Sequence, residues 1–162
     1  MALRCVVSEI IHASPEAVFA LASDFQGAPE RIRGITKMEV LTPGPVGVGT
    51  TFRETRVMFG KEATETMEVV EFQPGRSYTL RALNCGCEYR TTVSVKPVAA
   101  GHATPDEKSC EISFDFAGTP LTFGSRVMNV LMGWMVKGMC VKAIKSDMAD
   151  LKSAAETPAP RS

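Results

Sequence analysis

Between Gly118-Thr119-Pro120 and Thr157-Pro158 the chain holds no proline and no cluster of turn residues. The stretch from about Leu121 to Ala155 therefore predicts one uninterrupted helix, about 50 Å long at 1.5 Å per residue. Phe123, Val127, Val130, Trp134, Lys137, Val141, Ile144, Met148 and Leu151 recur along it at alternating steps of four and three. Such a seam suits a helix lying along a sheet or a partner helix. Lys137 alone interrupts it. Either its stem snorkels out from the margin of the seam, or the seam spans a cavity there and the amine faces a ligand. Beyond Ile144 the outer face carries Lys145, Asp147, Asp150 and Lys152 and reads as solvated.

The preceding sequence supplies a sheet. Arg4–Ile11 is rich in strand formers and ends at Ser14-Pro15-Glu16, where Ser14 suits an N-cap and Pro15 a first helical position. Glu16–Phe25 reads as a helix, with a short second helix or turn at Pro29–Gly34. Met38–Leu41, Thr50–Phe59, Glu62–Phe72, Ser77–Leu83, Glu88–Val95 and Ser109–Phe116 then read as strands. Short turns and no helices separate them, which predicts an antiparallel meander. Tyr89, Thr91, Val93 and Val95 alternate with polar residues, as do Cys110, Ile112, Phe114 and Phe116, so each strand has a buried and a wet face. The polar segment Ala99–Lys108 reads as a surface loop. The fold class is α+β, one domain over residues 1–155, with a disordered tail at 156–162.

Charge and motifs exclude several functions. Eighteen basic residues balance eighteen acidic ones, so no global field draws the chain to nucleic acid. Five scattered cysteines and no apolar leader point to reduced thiols in a cytoplasmic protein. Cys85-Gly86-Cys87 lacks the spacing and the partners of a zinc site, so no metal is expected. No phosphate-binding loop and no nucleophile elbow occurs, and no cofactor is expected. The apolar run Val127–Val141 is short and contains Lys137, so no transmembrane segment is expected.

Methionine is the one unusual component. Of nine, Met128, Met132, Met135 and Met139 form a second stripe nearly opposite the seam. It is either further core or an exposed patch for a second copy of the chain, a membrane surface or an entering ligand.

A further ambiguity lies in Thr50–Phe59, where Phe52, Glu54, Arg56 and Met58 share one face. If Phe52 and Met58 point inward, so do the two charges, giving an acid/base pair or a ligand anchor. If Thr51, Arg53, Thr55 and Val57 point inward, the charges are solvated. Glu9, in parity with Val7 and Ile11, raises the same question.

The order of elements, with Ala13-Ser14-Pro15-Glu16-Ala17-Val18-Phe19, Asp24-Phe25, Thr42-Pro43-Gly44-Pro45-Val46-Gly47-Val48-Gly49-Thr50, Val69-Val70-Glu71-Phe72-Gln73-Pro74-Gly75 and Asp147-Met148-Ala149-Asp150-Leu151-Lys152, resembles the START-like, helix-grip superfamily. This superfamily is also called SRPBCC, and the likeness is to its polyketide cyclase/dehydrase branch, over roughly residues 4–155. The resemblance implies a curved antiparallel sheet gripping the long helix around an apolar cavity. The expected partner is a small hydrophobic molecule: a lipid, polyketide or quinone-like ligand. Wall candidates are Tyr78, Leu80, Tyr89, Thr91, Phe114, Phe116, Val130 and Trp134, besides Phe52 and Met58. Glu54, Arg56 and Lys137 are the polar candidates. Binding or transport without chemistry is one implied function. Cyclisation or dehydration, with Arg56 or Lys137 stabilising an enolate and Glu54 or Tyr89 moving a proton, is another. An interaction protein working through the methionine stripe is a third.

Overall fold

A computed structural model of the chain describes residues 3–58, 60–98 and 108–157. The described elements are β1 Leu3–Ile11, α1 Pro15–Ser23, α2 Ala28–Arg31, β2 Ile35–Val40, β3 Thr51–Met58, β4 Lys61–Gln73, β5 Ser77–Asn84, β6 Cys87–Pro97, β7 Cys110–Pro120 and α3 Phe123–Glu156. The expected strands and the long helix all form, with their ends moved by a few residues. Most of the Ala99–Lys108 loop and of the C-terminal tail lies outside the described residues; Glu156, assigned to the tail, is helical.

The strands form a seven-stranded antiparallel sheet in the order β1-β7-β6-β5-β4-β3-β2. β2 to β7 are a plain meander, and β1 pairs with β7 throughout, from Leu3–Gly118 to Ile11–Cys110. β1 and β2 therefore occupy opposite edges, and α1 and α2 carry the chain between them. The register shifts at Ile35/Lys37 and Val69/Glu71; such irregularities bend a strand and increase its twist.

Local chemistry sets the helix starts. Ser14 Oγ accepts the Ala17 N–H at 3.2 Å, and Pro15 opens α1 without an amide to satisfy. Thr122 and Ser125 form a reciprocal capping box at α3. The β5–β6 hairpin holds that cap from below. Cys85 (φ 49) and Gly86 (φ 70) both take positive φ, as a two-residue type I′ turn demands. The Gly86 carbonyl accepts the Leu121 N–H at 2.8 Å and the Ser125 hydroxyl at 3.0 Å. The Cys85-Gly86-Cys87 run is thus a turn that seats α3.

The core fills the space between one face of the sheet, α1, α2 and the C-terminal turns of α3. Ile11, Val18, Phe52, Val69, Val93, Cys110 and Ile112 are fully buried. Phe25 stacks on Phe52 at 4.4 Å, and Tyr78 meets Phe25 edge-on at 5.5 Å. Met148 and Leu151 pack into the same cluster. Asp150, expected to be solvated, is buried: its Oδ1 accepts from Arg33 Nε at 2.9 Å and its Oδ2 from the Arg33 N–H at 3.0 Å. By length and composition α3 could cross a membrane. These three residues nevertheless build its C-terminal end into the domain.

Only this C-terminal part of the predicted seam grips the sheet. Phe123, Val127, Val130 and Trp134 point outward, Phe123 being 82% and Trp134 79% exposed. The half-buried residues of the first turns are instead Ser125, Asn129, Gly133 and Val136. The bond from Ser125 to the Gly86 carbonyl explains the rotation. It fixes Ser125 toward the hairpin, and residues four and eight positions on share its face.

Candidate functional site

A cavity of about 410 Å³ lies between the sheet and the helices, within the range of small-molecule sites. Its floor comes from alternate residues of the strands, because side chains on a strand alternate in direction. Phe52, Met58, Tyr78, Leu80, Tyr89, Thr91, Phe114 and Phe116 all line it. Leu21, Phe25, Ile32 and Met38, which the sequence did not single out as wall residues, close one side. Val136, Cys140, Ala143, Ile144, Asp147 and Leu151 supply the helix wall. Val130, Trp134 and Lys137 do not reach it. Val130 is 78% exposed, and Lys137 is exposed on the flank of α3, so the lysine follows the snorkelling alternative and cannot present its amine to the cavity.

The Phe52–Met58 parity settles inward. Glu54 and Arg56 both line the cavity, their side chains 12% and 20% exposed. Arg56 Nε donates to Glu54 Oε1 at 2.6 Å, and its Nη2 donates to Asp147 Oδ2 at 3.0 Å. Sequence reading placed Asp147 on the solvated outer face of α3. The structure turns it into the cavity, and its partner Arg56 is distant in sequence. Glu9 is exposed instead and accepts from Lys152 Nζ at 2.9 Å.

Two acids and one guanidinium share this partly dry site. Burial pushes the Glu54 carboxyl above its ordinary pKa, although Arg56 pulls it down through charge and hydrogen bond. Asp147 moves the same way for the same reasons. Each carboxylate spends one lone pair on Arg56 and retains acceptor capacity toward a ligand O–H or N–H. With both acids ionised, the triad carries one net negative charge; with one protonated, it presents an acid next to an apolar chamber.

The other polar groups are committed or peripheral. The Tyr78 hydroxyl donates to the Ala22 carbonyl at 2.8 Å, and burial raises its pKa. The Tyr89 phenol is pushed up to about 12, by burial first and then by its hydrogen bond with Cys87. Asn84 Nδ2 donates to Glu65 Oε1 at 3.1 Å on the cavity wall. Among the described residues no group of three or more His, Cys, Asp or Glu side chains could hold a metal ion.

Met128, Met132 and Met135 are exposed and Met139 is half-buried. The α1 helix does not cover them, and a homodimer, one of the alternatives for this stripe, finds no support.

A search of curated proteins finds no match to the chain. Solved structures share its fold. The Zhui aromatase/cyclase from a Streptomyces species is 14% identical with a TM-score of 0.75, covering 96% of this chain and 94% of that one. A START superfamily protein from Mycobacterium smegmatis is 15% identical with a TM-score of 0.70, covering 94% and 97%. A major latex-like protein from Panax ginseng is 11% identical with a TM-score of 0.72, covering 96% and 99%. Identity this low establishes the helix-grip fold and nothing finer. Residues 3–156 match the family model described as polyketide cyclase/dehydrase and lipid transport, and the chain belongs to that family.

Proposed function

We propose that this protein binds a small hydrophobic molecule in the cavity, with a hydrogen-bond-donating end of the ligand at Glu54, Arg56 and Asp147. The observation that carries this reading is one apolar chamber of about 410 Å³ with a buried charged triad in its wall. Apolar walls supply affinity and a few fixed polar groups supply orientation. Arg56 is already neutralised by two acids, so the triad disfavours a carboxylate and favours a hydroxyl or phenol. A polyketide-like or quinol-like ligand has this character. Native mass spectrometry of the purified protein tests the reading. A co-purified apolar ligand that is lost on filling the cavity with Thr91→Trp supports it, and a ligand retained in that variant contradicts it.

A second reading is an enzyme of the cyclase or dehydratase type acting in the same chamber. It is favoured by the raised pKa of Glu54 beside a guanidinium, the arrangement a proton-transfer group needs near neutral pH. Turnover of a polyketide-like substrate that Glu54→Gln abolishes while binding persists selects this reading over simple carriage.

A further inference from the structure

The first four turns of α3 are inside out. Their sheet-facing positions are the small or polar Ser125, Asn129 and Gly133, whereas Val127, Met128, Val130, Leu131, Trp134 and Met135 face solvent. At about 100° per residue, these outward side chains form one continuous apolar arc of about 160°, nearly half the helix circumference. An exposed apolar surface of this kind marks an interaction site.

The charges around the arc identify its occupant. From Phe123 to Ser146 the helix carries Arg126, Lys137, Lys142 and Lys145 and no acidic residue; the first acid is Asp147, which faces the cavity. Arg126 and Lys137 flank the arc, and Lys142 and Lys145 continue its outward face beyond the apolar section. All four are exposed. A second copy docked face to face would bring like charges together, whereas anionic headgroups would complement them. Trp134 lies within the apolar arc, and tryptophan is a residue enriched at the bilayer interface.

We propose that the outward face of α3 between Phe123 and Lys145 is a docking surface for an anionic lipid bilayer, lying in its interface rather than crossing it. The apolar arc enters the headgroup boundary and the basic side chains hold the lipid phosphates. Val136, on the inner side of the same turns, lines the cavity, so the docked helix separates the chamber from the bilayer. Docking does not depend on what the cavity holds.

Trp134 is the only tryptophan, so its emission reports this face directly. The expected result for the full chain is emission of an exposed indole in buffer and a blue shift with vesicles of equimolar phosphatidylcholine and phosphatidylglycerol. High salt should reverse the shift, and pure phosphatidylcholine should give little of it. Lys142→Ala and Lys145→Ala should each lower vesicle affinity about fivefold, as expected for one cation at an anionic surface. Absence of the shift and of co-sedimentation with the mixed vesicles overturns the proposal. So does equal affinity for both vesicle types without any effect of the lysine substitutions. Blue-shifted emission in buffer also overturns it: at dimer mass it assigns the face to a second copy, and at monomer mass to the chain itself.

Discussion

Arg56 Nη2 donates to Asp147 Oδ2 at 3.0 Å, joining strand β3 to helix α3 across 91 residues of sequence. Arg56 Nε also donates to Glu54 within β3 at 2.6 Å, so one guanidinium ties the centre of the strand to the long helix. The same pair gives the cavity its polar end.

Replacing Arg56 by Met leaves two carboxylates in a mostly buried site without their cation. The expected cost is about 2–4 kcal/mol at neutral pH, somewhat below that of a fully buried pair because part of the guanidinium meets water. The pH dependence has a definite sign. Glu54 and Asp147 have folded-state pKa values raised by burial. Their contribution to stability is therefore fully present below the unfolded carboxylate range and lost as pH rises through the raised values. Removing Arg56 raises them further, so the deficit of the variant shrinks on acidification. Urea unfolding of both proteins across the acid range measures it.

Asp150 should behave in the opposite way. Burial opposes its ionisation, but the side-chain and backbone hydrogen bonds from Arg33 together outweigh burial and hold its pKa below the ordinary value. Its contribution is present above the unfolded value and lost as pH falls through the folded one. Asp150→Ala should cost about 1–2 kcal/mol at neutral pH, since it leaves the Arg33 N–H without its acceptor. The cost should shrink in strong acid, where only the neutral carboxyl's hydrogen bond remains to be lost, again read by urea unfolding.

Gly86 carries two demands at once. Its φ is 70, and a Cβ there would meet Thr122 Oγ1 at 2.8 Å. Gly75 has a similar φ of 72 with nothing within 4 Å. Gly75→Ala should cost about 1 kcal/mol from backbone strain alone. Gly86→Ala should cost about 2–3 kcal/mol, because the seat of α3 must also shift. Thermal unfolding of the two variants side by side separates the terms.

Trp134 and Phe116 should differ despite both having been read as cavity walls. Trp134→Ala should change stability by less than about 0.5 kcal/mol and leave binding of a lipophilic dye unaltered, as befits a surface residue. Phe116 lines the cavity and stacks on Tyr89 at 5.8 Å. Phe116→Ala should alter dye affinity and cost about 3 kcal/mol. Dye titration and denaturant melts check both.

Much of this was legible in the sequence because strands and helices advertise their period. The alternation in β6 and β7 marked the buried faces; in β3 it tied Glu54 and Arg56 to Phe52 and Met58 but left open which face points inward, and the cavity decides it. The rotation of α3 was not legible. Hydrophobic spacing assigned Val130 and Trp134 inward, whereas the Ser125 bond to Gly86, set by a hairpin 39 residues away, turned them out. Asp147 was missed for a related reason: a lone acid on a helix reads as solvated until its distant partner, Arg56, is brought to it by the fold. Lys137 follows the snorkelling alternative, so only its place among the cavity candidates fails, together with the outward-turned seam.

In the proposed function the chamber holds an apolar ligand by its hydrogen-bond-donating end. The most direct measurement is displacement of a bound lipophilic dye at neutral pH by decanol and by decanoate, which share a chain and differ in the end group. Decanol should displace the dye at the lower concentration, because two acids already occupy Arg56 and leave acceptors for a hydroxyl. Tighter binding of decanoate, or displacement by neither, would contradict it.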